Sequence, residues 1–314
     1  MIAGIETGGT KVVCAVAERG GGILHRTTIP TSHPEETVGQ IVEFLRDTVP
    51  GDDLEAIGLG TFGPVDLDPQ SPQHGVLGRT PKARWTGVRI KDLLHTALAV
   101  PVAIDTDVNA SALAEVRWGA AQGLDPVVYV TVGTGVGVGG VVGGHTLQGY
   151  GGGHPVLGHL LVRRHPRDTF AGHCSFHADC LEGLAAGPAL EQRWGRHGVR
   201  APELDPLIAD LAGYYLAQLV VAITYGLMPG CVVLGGGISA VPGLRERTRE
   251  HSARLVAGYL DDHPLSQVGS DYIRPPALDG QAGVLGALAM ADDLLASTPA
   301  SADERSGAQA RSSG

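Results

Sequence analysis

Ile2-Ala3-Gly4-Ile5-Glu6-Thr7-Gly8-Gly9-Thr10-Lys11-Val12-Val13-Cys14-Ala15-Val16 sets two apolar runs on either side of a polar, glycine-containing turn. Ile2 to Ile5 and Val12 to Val16 read as short strands, and Thr7-Gly8-Gly9-Thr10 as the connection between them. The plan returns further along. Val127 to Val132 is a strand, Gly133-Thr134-Gly135 a turn, and Val136 to Val142 a second apolar run. The match is short, and it points to an internal duplication. Outward from these two hairpins, strands are expected at Ile23 to Ile29, Glu55 to Leu59, Val100 to Ile104 and Cys231 to Leu234. Helices are expected from Pro34 to about Thr48, where Glu35 and Glu36 suit the helix dipole, and from about Val108 to Trp118. Further helices are expected near Cys180 to Trp194, Leu204 to Leu227, Val241 to Tyr259 and Gln281 to Leu295. Residues 66–87 and 145–180 read as loop, and 297–314 as a disordered tail. Strands alternating with helices in both halves give an α/β chain.

The 314 residues suit one large or two smaller domains. Apolar residues make up 43% and charged residues 18%, enough to bury a core. A formal net charge of −10 argues against a nucleic-acid partner, which needs a basic face. No unbroken apolar run reaches membrane-spanning length, so no membrane partner is expected. A basic lead and a small-residue cleavage site are missing from the first residues, so no secretory signal is expected and the default setting is cytoplasmic. In that setting paired cysteines more often bind metal than form a disulfide. Cys14 and Cys231 lie in strand-like runs and read as core residues.

Three glycine turns each follow an apolar strand: Gly8-Gly9-Thr10-Lys11, Gly133-Thr134-Gly135 and Gly235-Gly236-Gly237. Exposed N–H groups at such turns can cradle phosphate oxygens. The plain alternative is that they only connect strands; three together, two with threonine, favour phosphate. Two better-known motifs fail. Gly135-Val136-Gly137-Val138-Gly139-Gly140 matches the dinucleotide fingerprint formally, but it leads into a Val/Gly run and lacks the acidic residue about 20 positions on. The P-loop pattern fails because Gly9 is followed by Thr10, so the motif's Gly-Lys pair is missing.

Asp105-Thr106-Asp107-Val108-Asn109 follows the strand Val100 to Ile104 directly. Ligands in α/β proteins bind at the carboxyl ends of strands. Two carboxylates and an amide can hold several hydroxyls and still leave a base; Asp107 or Asn109 could equally cap the next helix. His159, Cys174, His177 and Cys180 form a candidate zinc site, with ligands suited to a closed, tetrahedral, structural ion. His154, His165 and His173 are alternatives for the fourth ligand, and a merely histidine-rich surface loop is the bland reading.

These segments together resemble the ROK family (repressors, open reading frames, kinases), in its bacterial fructokinase-like branch. The matching pieces run in the family's order over nearly the whole chain before the tail. They are Gly4 to Lys11, Phe62-Gly63-Pro64-Val65, Thr80-Pro81-Lys82, Asp105 to Ala110, Thr131 to Gly135, His154-Pro155, Gly158-His159, Cys174 to Cys180 with Leu181-Glu182-Gly183, and Gly235 to Gly237. The resemblance implies a two-domain, actin-like (ribonuclease H-like) sugar kinase fold with sugar and ATP in the interdomain cleft. Residues 1–107 plus a C-terminal helix at about 281–296 would form one domain. Residues 108–280, with a zinc-binding loop, would form the other.

It further implies Asp107 as general base, with Gly63, Pro64, Asp105, Asn109, His159 and Glu182 at the sugar. Gly8, Gly9, Thr10, Lys11, Gly133, Thr134 and Gly135 would hold ATP phosphates, and Gly235, Gly236 and Gly237 would lie by the adenosine. Mg²⁺ would serve phosphoryl transfer, Zn²⁺ the structure, and a homodimer is usual. The expected reaction is ATP-dependent phosphorylation of a hexose, D-fructose first. A glucose/mannose-type hexokinase and a non-catalytic sugar sensor are the alternatives. Family repressors carry an N-terminal helix-turn-helix, for which residues before Thr7 leave no room.

One position departs from the family pattern Glu-x-Gly-His, whose glutamate binds sugar hydroxyls. Here it reads Val156-Leu157-Gly158-His159. Valine accepts no hydrogen bond, so weaker binding, a different grip or a different sugar is expected.

Overall fold

The computed structural model describes residues 1–80, 82–200 and 206–297. Strands β1 (Ile2–Thr7), β2 (Lys11–Ala17), β3 (Ile23–Pro30), β4 (Ala56–Thr61) and β5 (Val102–Thr106) form one sheet in the order β3-β2-β1-β4-β5. Strands β6 (Val127–Val132), β7 (Val136–Val142), β8 (His145–Thr146), β9 (Cys231–Gly235) and β10 (Ile273–Arg274) form another, in the order β10-β9-β6-β7-β8. The two orders are the same pattern. In each, an antiparallel hairpin about a glycine turn is followed by parallel partners: β1 with β2 and β4, β6 with β7 and β9. The topological repeat is far clearer than the sequence repeat, because a hairpin turn needs only glycines while the strands need only apolar side chains. This is the two-domain actin-like architecture.

Central strands β4 and β9 are buried along their whole length, whereas edge strand β3 is mostly exposed. Their continuous apolar runs fit strands covered on both faces. Helix α1 (Pro34–Thr48) buries Val38, Ile41, Val42 and Leu45, one stripe at helical spacing. It packs with α2 (Ile90–Leu98) on the outer side of the first sheet. Helices α3 (Asp107–Trp118) and α8 (Ala282–Ser297) pack against each other between the sheets. α8 lies on β1 and β4, and α3 on β6 and β7. Glycine permits this crossing: a Cβ at Gly286 would sit 1.8 Å from the Ala110 carbonyl oxygen, and one at Gly58 1.8 Å from that of Ala287. Helices α4 (Leu181–Ala185), α5 (Gly187–Arg200), α6 (Pro206–Leu227) and α7 (Leu244–Val256) complete the second core.

Several expectations shift. The helix expected over Cys180 to Trp194 is two, because Ala186 is extended (φ −73°, ψ 162°) and Gly187-Pro188 opens a new helix. Helix α7 is shorter than expected, bracketed by left-handed Gly243 and Ala257. Helix α2 was not anticipated; it ends on a left-handed Ala99 rather than the usual glycine. The expected start of α6 at Leu204 and the tail from residue 298 lie outside the described residues. α6 is long and apolar enough to span a membrane by composition, but 67% of its apolar window is buried inside the fold, as befits a core helix.

Candidate active site

Two cavities meet at the start of α3. The first, about 480 Å³, is lined by Glu6, Lys11, Asp107, Ser111, Thr131, Gly236, Gly237 and Arg245 among others. The second, about 470 Å³, is lined by Gly63, Pro64, Arg79, Thr106, Asp107, Val136, His154, Val156, His159, Phe176 and Glu182 among others. Asp107 and Val108 belong to both walls.

Asp107 is the first residue of α3, directly after β5. Thr106 caps the helix by accepting from the Asn109 N–H at 3.1 Å. Capping therefore falls to Thr106 and leaves the Asp107 carboxylate for the cavities, held by a 2.9 Å hydrogen bond that its Oδ1 accepts from the Val108 N–H. Burial, reinforced by the negative charge of Glu6, pushes the Asp107 carboxyl up to about 7. Glu6 is itself raised by burial, with Lys11, Arg26 and the Val284 N–H pulling the other way. Two carboxylates sharing one cleft beside Lys11 give a site poised to accept a proton near neutrality.

Asp105 and Asn109 are not brought to either wall. Asp105 is buried, and Oδ1 accepts from the Thr106 N–H and from Asn109 Nδ2, both at 2.7 Å. Its Oδ2 accepts from Thr146 Oγ1 at 2.7 Å and Gln148 Nε2 at 3.3 Å. Asn109 also donates to the Leu147 carbonyl at 3.1 Å and accepts from the Gly140 N–H at 3.0 Å. Both are committed to tying β5 and α3 to the second sheet. The structure thus places these two predicted sugar-site residues behind the cavity walls rather than on them.

Glycine turns divide likewise. Lys11, Gly236 and Gly237 line the first cavity, while Gly8, Gly9, Thr10 and Gly133 to Gly135 are hairpin tips outside its wall. Gly235 ends β9, where a Cβ would strike the Tyr129 hydroxyl at 2.2 Å.

In the second cavity, Glu182 Oε2 accepts from the Val136 N–H at 3.0 Å, next to Gly135. Gly63 lets the His154 ring come close: a Cβ there would stand 2.9 Å from it, so any larger residue would displace the ring. Val156 is 62% exposed on the open wall.

His159, Cys174, His177 and Cys180 place one ligand atom each within 4.8 Å of all the others. His159 Nδ1 lies 3.5 Å from Cys180 Sγ and 3.8 Å from Cys174 Sγ, and His177 Nδ1 3.9 Å from Cys174 Sγ. A tetrahedral zinc with ordinary bond lengths has ligand–ligand edges of about 3.3 to 3.8 Å, so the donor set fits. The alternatives for the fourth ligand are engaged elsewhere: His154 at the Val65 N–H, His165 at the Arg167 N–H, and His173 at Gln192. His159 also lines the second cavity through the same ring.

Glu6, Arg79, Thr106, Ser111 and Arg245 were not picked out from sequence. Glu6 had a signal, since it sits between strand and glycine turn; Arg245 and Arg79 had none, being placed by tertiary packing alone.

Residues 2–294 match the model of the ROK family. The chain belongs to the ROK family. Among its relatives, the fructokinase of Zymomonas mobilis is 37% identical over 91% of this chain and 95% of that one. The fructokinase of Streptococcus mutans is 38% identical over 93% and 97%. The solved ROK hexokinase of Thermus thermophilus superposes with a TM-score of 0.72 at 30% identity, covering 95% of this chain and 99% of that one. The ROK assignment accounts for the repeated actin-like sheets and for the pair of cavities between them.

Proposed function

We propose that this ROK protein is an ATP-dependent hexose kinase that converts D-fructose to fructose 6-phosphate. The observation that carries the reading is the meeting of two cavities of about 480 and 470 Å³ at one carboxylate, Asp107. ATP lies in the first, with Lys11 at the phosphates and Gly236 and Gly237 at the adenosine side. The sugar lies in the second, among Gly63, Pro64, His159 and Glu182. Asp107 takes the proton from the sugar hydroxyl as that oxygen bonds to the γ-phosphorus and the bond to the bridging oxygen of ADP breaks. Positioning of the two reactants on either side of the base does most of the work.

Mg²⁺ fits the first cavity, where the half-buried Glu6 carboxylate offers the hard oxygen donor such an ion takes alongside phosphates. When bound it neutralises charge developing on the phosphates. Zn²⁺ in the four-ligand cluster is structural. It fixes His159 and the start of α4, which carries Glu182. A homodimer and a cytoplasmic setting belong to the same reading, and sedimentation velocity tests the former.

The deciding experiment is ADP release from ATP and Mg²⁺ with fructose, glucose and mannose. Fructose-dependent turnover is expected; no ADP on any sugar overturns the reading, and a sensor that binds sugar without turnover takes its place.

A further inference from the structure

Neither Thr80 nor Lys82 lines either cavity, so the cavities do not explain them. Lys82 is half-buried, and its side chain extends over the first glycine turn. Its Cε is the nearest atom to the space above Gly9, 4.0 Å from where a Cβ on that residue would stand. Glycine leaves that space open.

Two further observations mark the space as an anion seat. Among the described residues, the backbone N–H groups of Gly9 and Thr10 find no protein acceptor, whereas Gly8 N–H donates to the Lys11 carbonyl at 2.8 Å. Among the described residues, no carboxylate lies within ion-pair distance of Lys82. Free amides with an uncommitted lysine side chain beside them are the elements of a phosphate site.

The placement is built, not incidental. Trp85 N–H donates to the Lys82 carbonyl at 2.8 Å, and the buried Trp85 indole donates to the Ser32 carbonyl at 3.0 Å. The preceding residue, Thr31, holds the glycine turn from below: its hydroxyl donates to Gly8 at 2.8 Å and its N–H to Thr10 at 3.1 Å. One short stretch, Thr31-Ser32, therefore fixes both the turn and the lysine above it.

We propose that Lys82 is a phosphate-binding residue that grips the γ-phosphoryl group of ATP against the Gly9 and Thr10 amides. The proposal rests on the kinase reading for its ligand, but not for its test. Lys82→Met and Lys82→Arg are compared with wild type by calorimetric titration with ADP and with a non-hydrolysable ATP analogue, each with Mg²⁺. Lys82→Met is expected to weaken the triphosphate analogue about tenfold or more, as loss of a charge-assisted hydrogen bond does, and ADP less than twofold. Lys82→Arg should recover most of the difference. Steady-state kinetics should then show kcat reduced in Lys82→Met with the KM for fructose unchanged. Equal losses for ADP and the analogue, or no loss for either, overturn the proposal. If wild type binds both nucleotides but turns over no sugar, the kinase reading fails while the Lys82 result still stands or falls on the binding difference.

Discussion

On the proposed reading Asp107 is the general base, and its environment sets the pH at which it can act. A carboxyl raised to about 7 by burial and by Glu6 is a base only when ionised. The fructose-dependent kcat/KM should therefore fall as pH drops through about 7 in the free enzyme, measured with stopped assays across a pH series. The same shift has a stability sign. The folded state holds its proton more tightly than the unfolded chain does, so stability is full below the ordinary aspartate range and is lost as pH rises toward 7. Asp107→Asn removes that buried charge. It should lower turnover by about 10² to 10⁴, yet raise Tm at pH 8 as read by calorimetry; near-normal turnover would rule out the base assignment. Val156 is the other residue whose chemistry decides something. It is exposed on the sugar-side wall, in the cavity that Glu182 and His159 line. A carboxylate there can accept from sugar hydroxyls where valine cannot. Val156→Glu should therefore tighten apparent hexose binding by about 10- to 100-fold, the worth of a charged hydrogen bond. Kinetics on fructose, glucose and mannose check this. Tight wild-type fructose binding with a variant worse on every sugar would mean that another group already fills the role.

Between residue and molecule stands the loop that carries the Cys/His cluster. It presents His159 to the sugar cavity, and Cys180 leads into α4, whose second residue is Glu182. Metal in the cluster would thus lock two sugar-facing side chains at once. Purified protein should hold about one zinc per chain. Cys174→Ser should abolish it, lowering Tm and raising the KM for fructose more than that for ATP. A folded, active preparation without zinc, by elemental analysis, would overturn the assignment. This cluster was legible in sequence because its ligands lie in one short stretch plus His159, a local spacing. The two hairpins and their glycine turns were legible for the same reason. The α4–α5 break was not: Gly187-Pro188 sits inside an otherwise helical pattern, and only the extended Ala186 shows that the chain turns there. The contacts of Asp105 and Asn109 were not legible, because their hydrogen-bond partners, Thr146, Gln148, Leu147 and Gly140, come from the β7–β8 region far along the chain. Residue type indicated polar contacts; only the fold indicates with what.

At the scale of the molecule, two similar sheets are joined through α3 and α8, whose backbones come into contact where Gly286 crosses Ala110. Leu113 and Met290 pack in one cluster beside that crossing, so the α3–α8 junction is the axis about which one domain would turn on the other. The disposition of the glycine turns gives that rotation a purpose. Gly8 to Thr10 belong to the first domain and Gly133 to Gly135 to the second, and neither tip lines the nucleotide cavity. Lys11 and Gly236–Gly237, from opposite domains, already line it. For both hairpin tips to reach the phosphates, the domains must swing toward each other about the α3–α8 junction. Closing in this way would also expel water from around Asp107 and keep ATP from being hydrolysed without sugar. On the proposed reading ATP and sugar together span the cleft, since each cavity is lined from both domains and the two share Asp107. Small-angle scattering should therefore show a smaller radius of gyration with fructose plus a non-hydrolysable ATP analogue and Mg²⁺ than with either ligand alone. An unchanged radius in the doubly loaded protein, with both ligands shown by calorimetry to be bound, would mean that the hairpin tips take no part in holding phosphate.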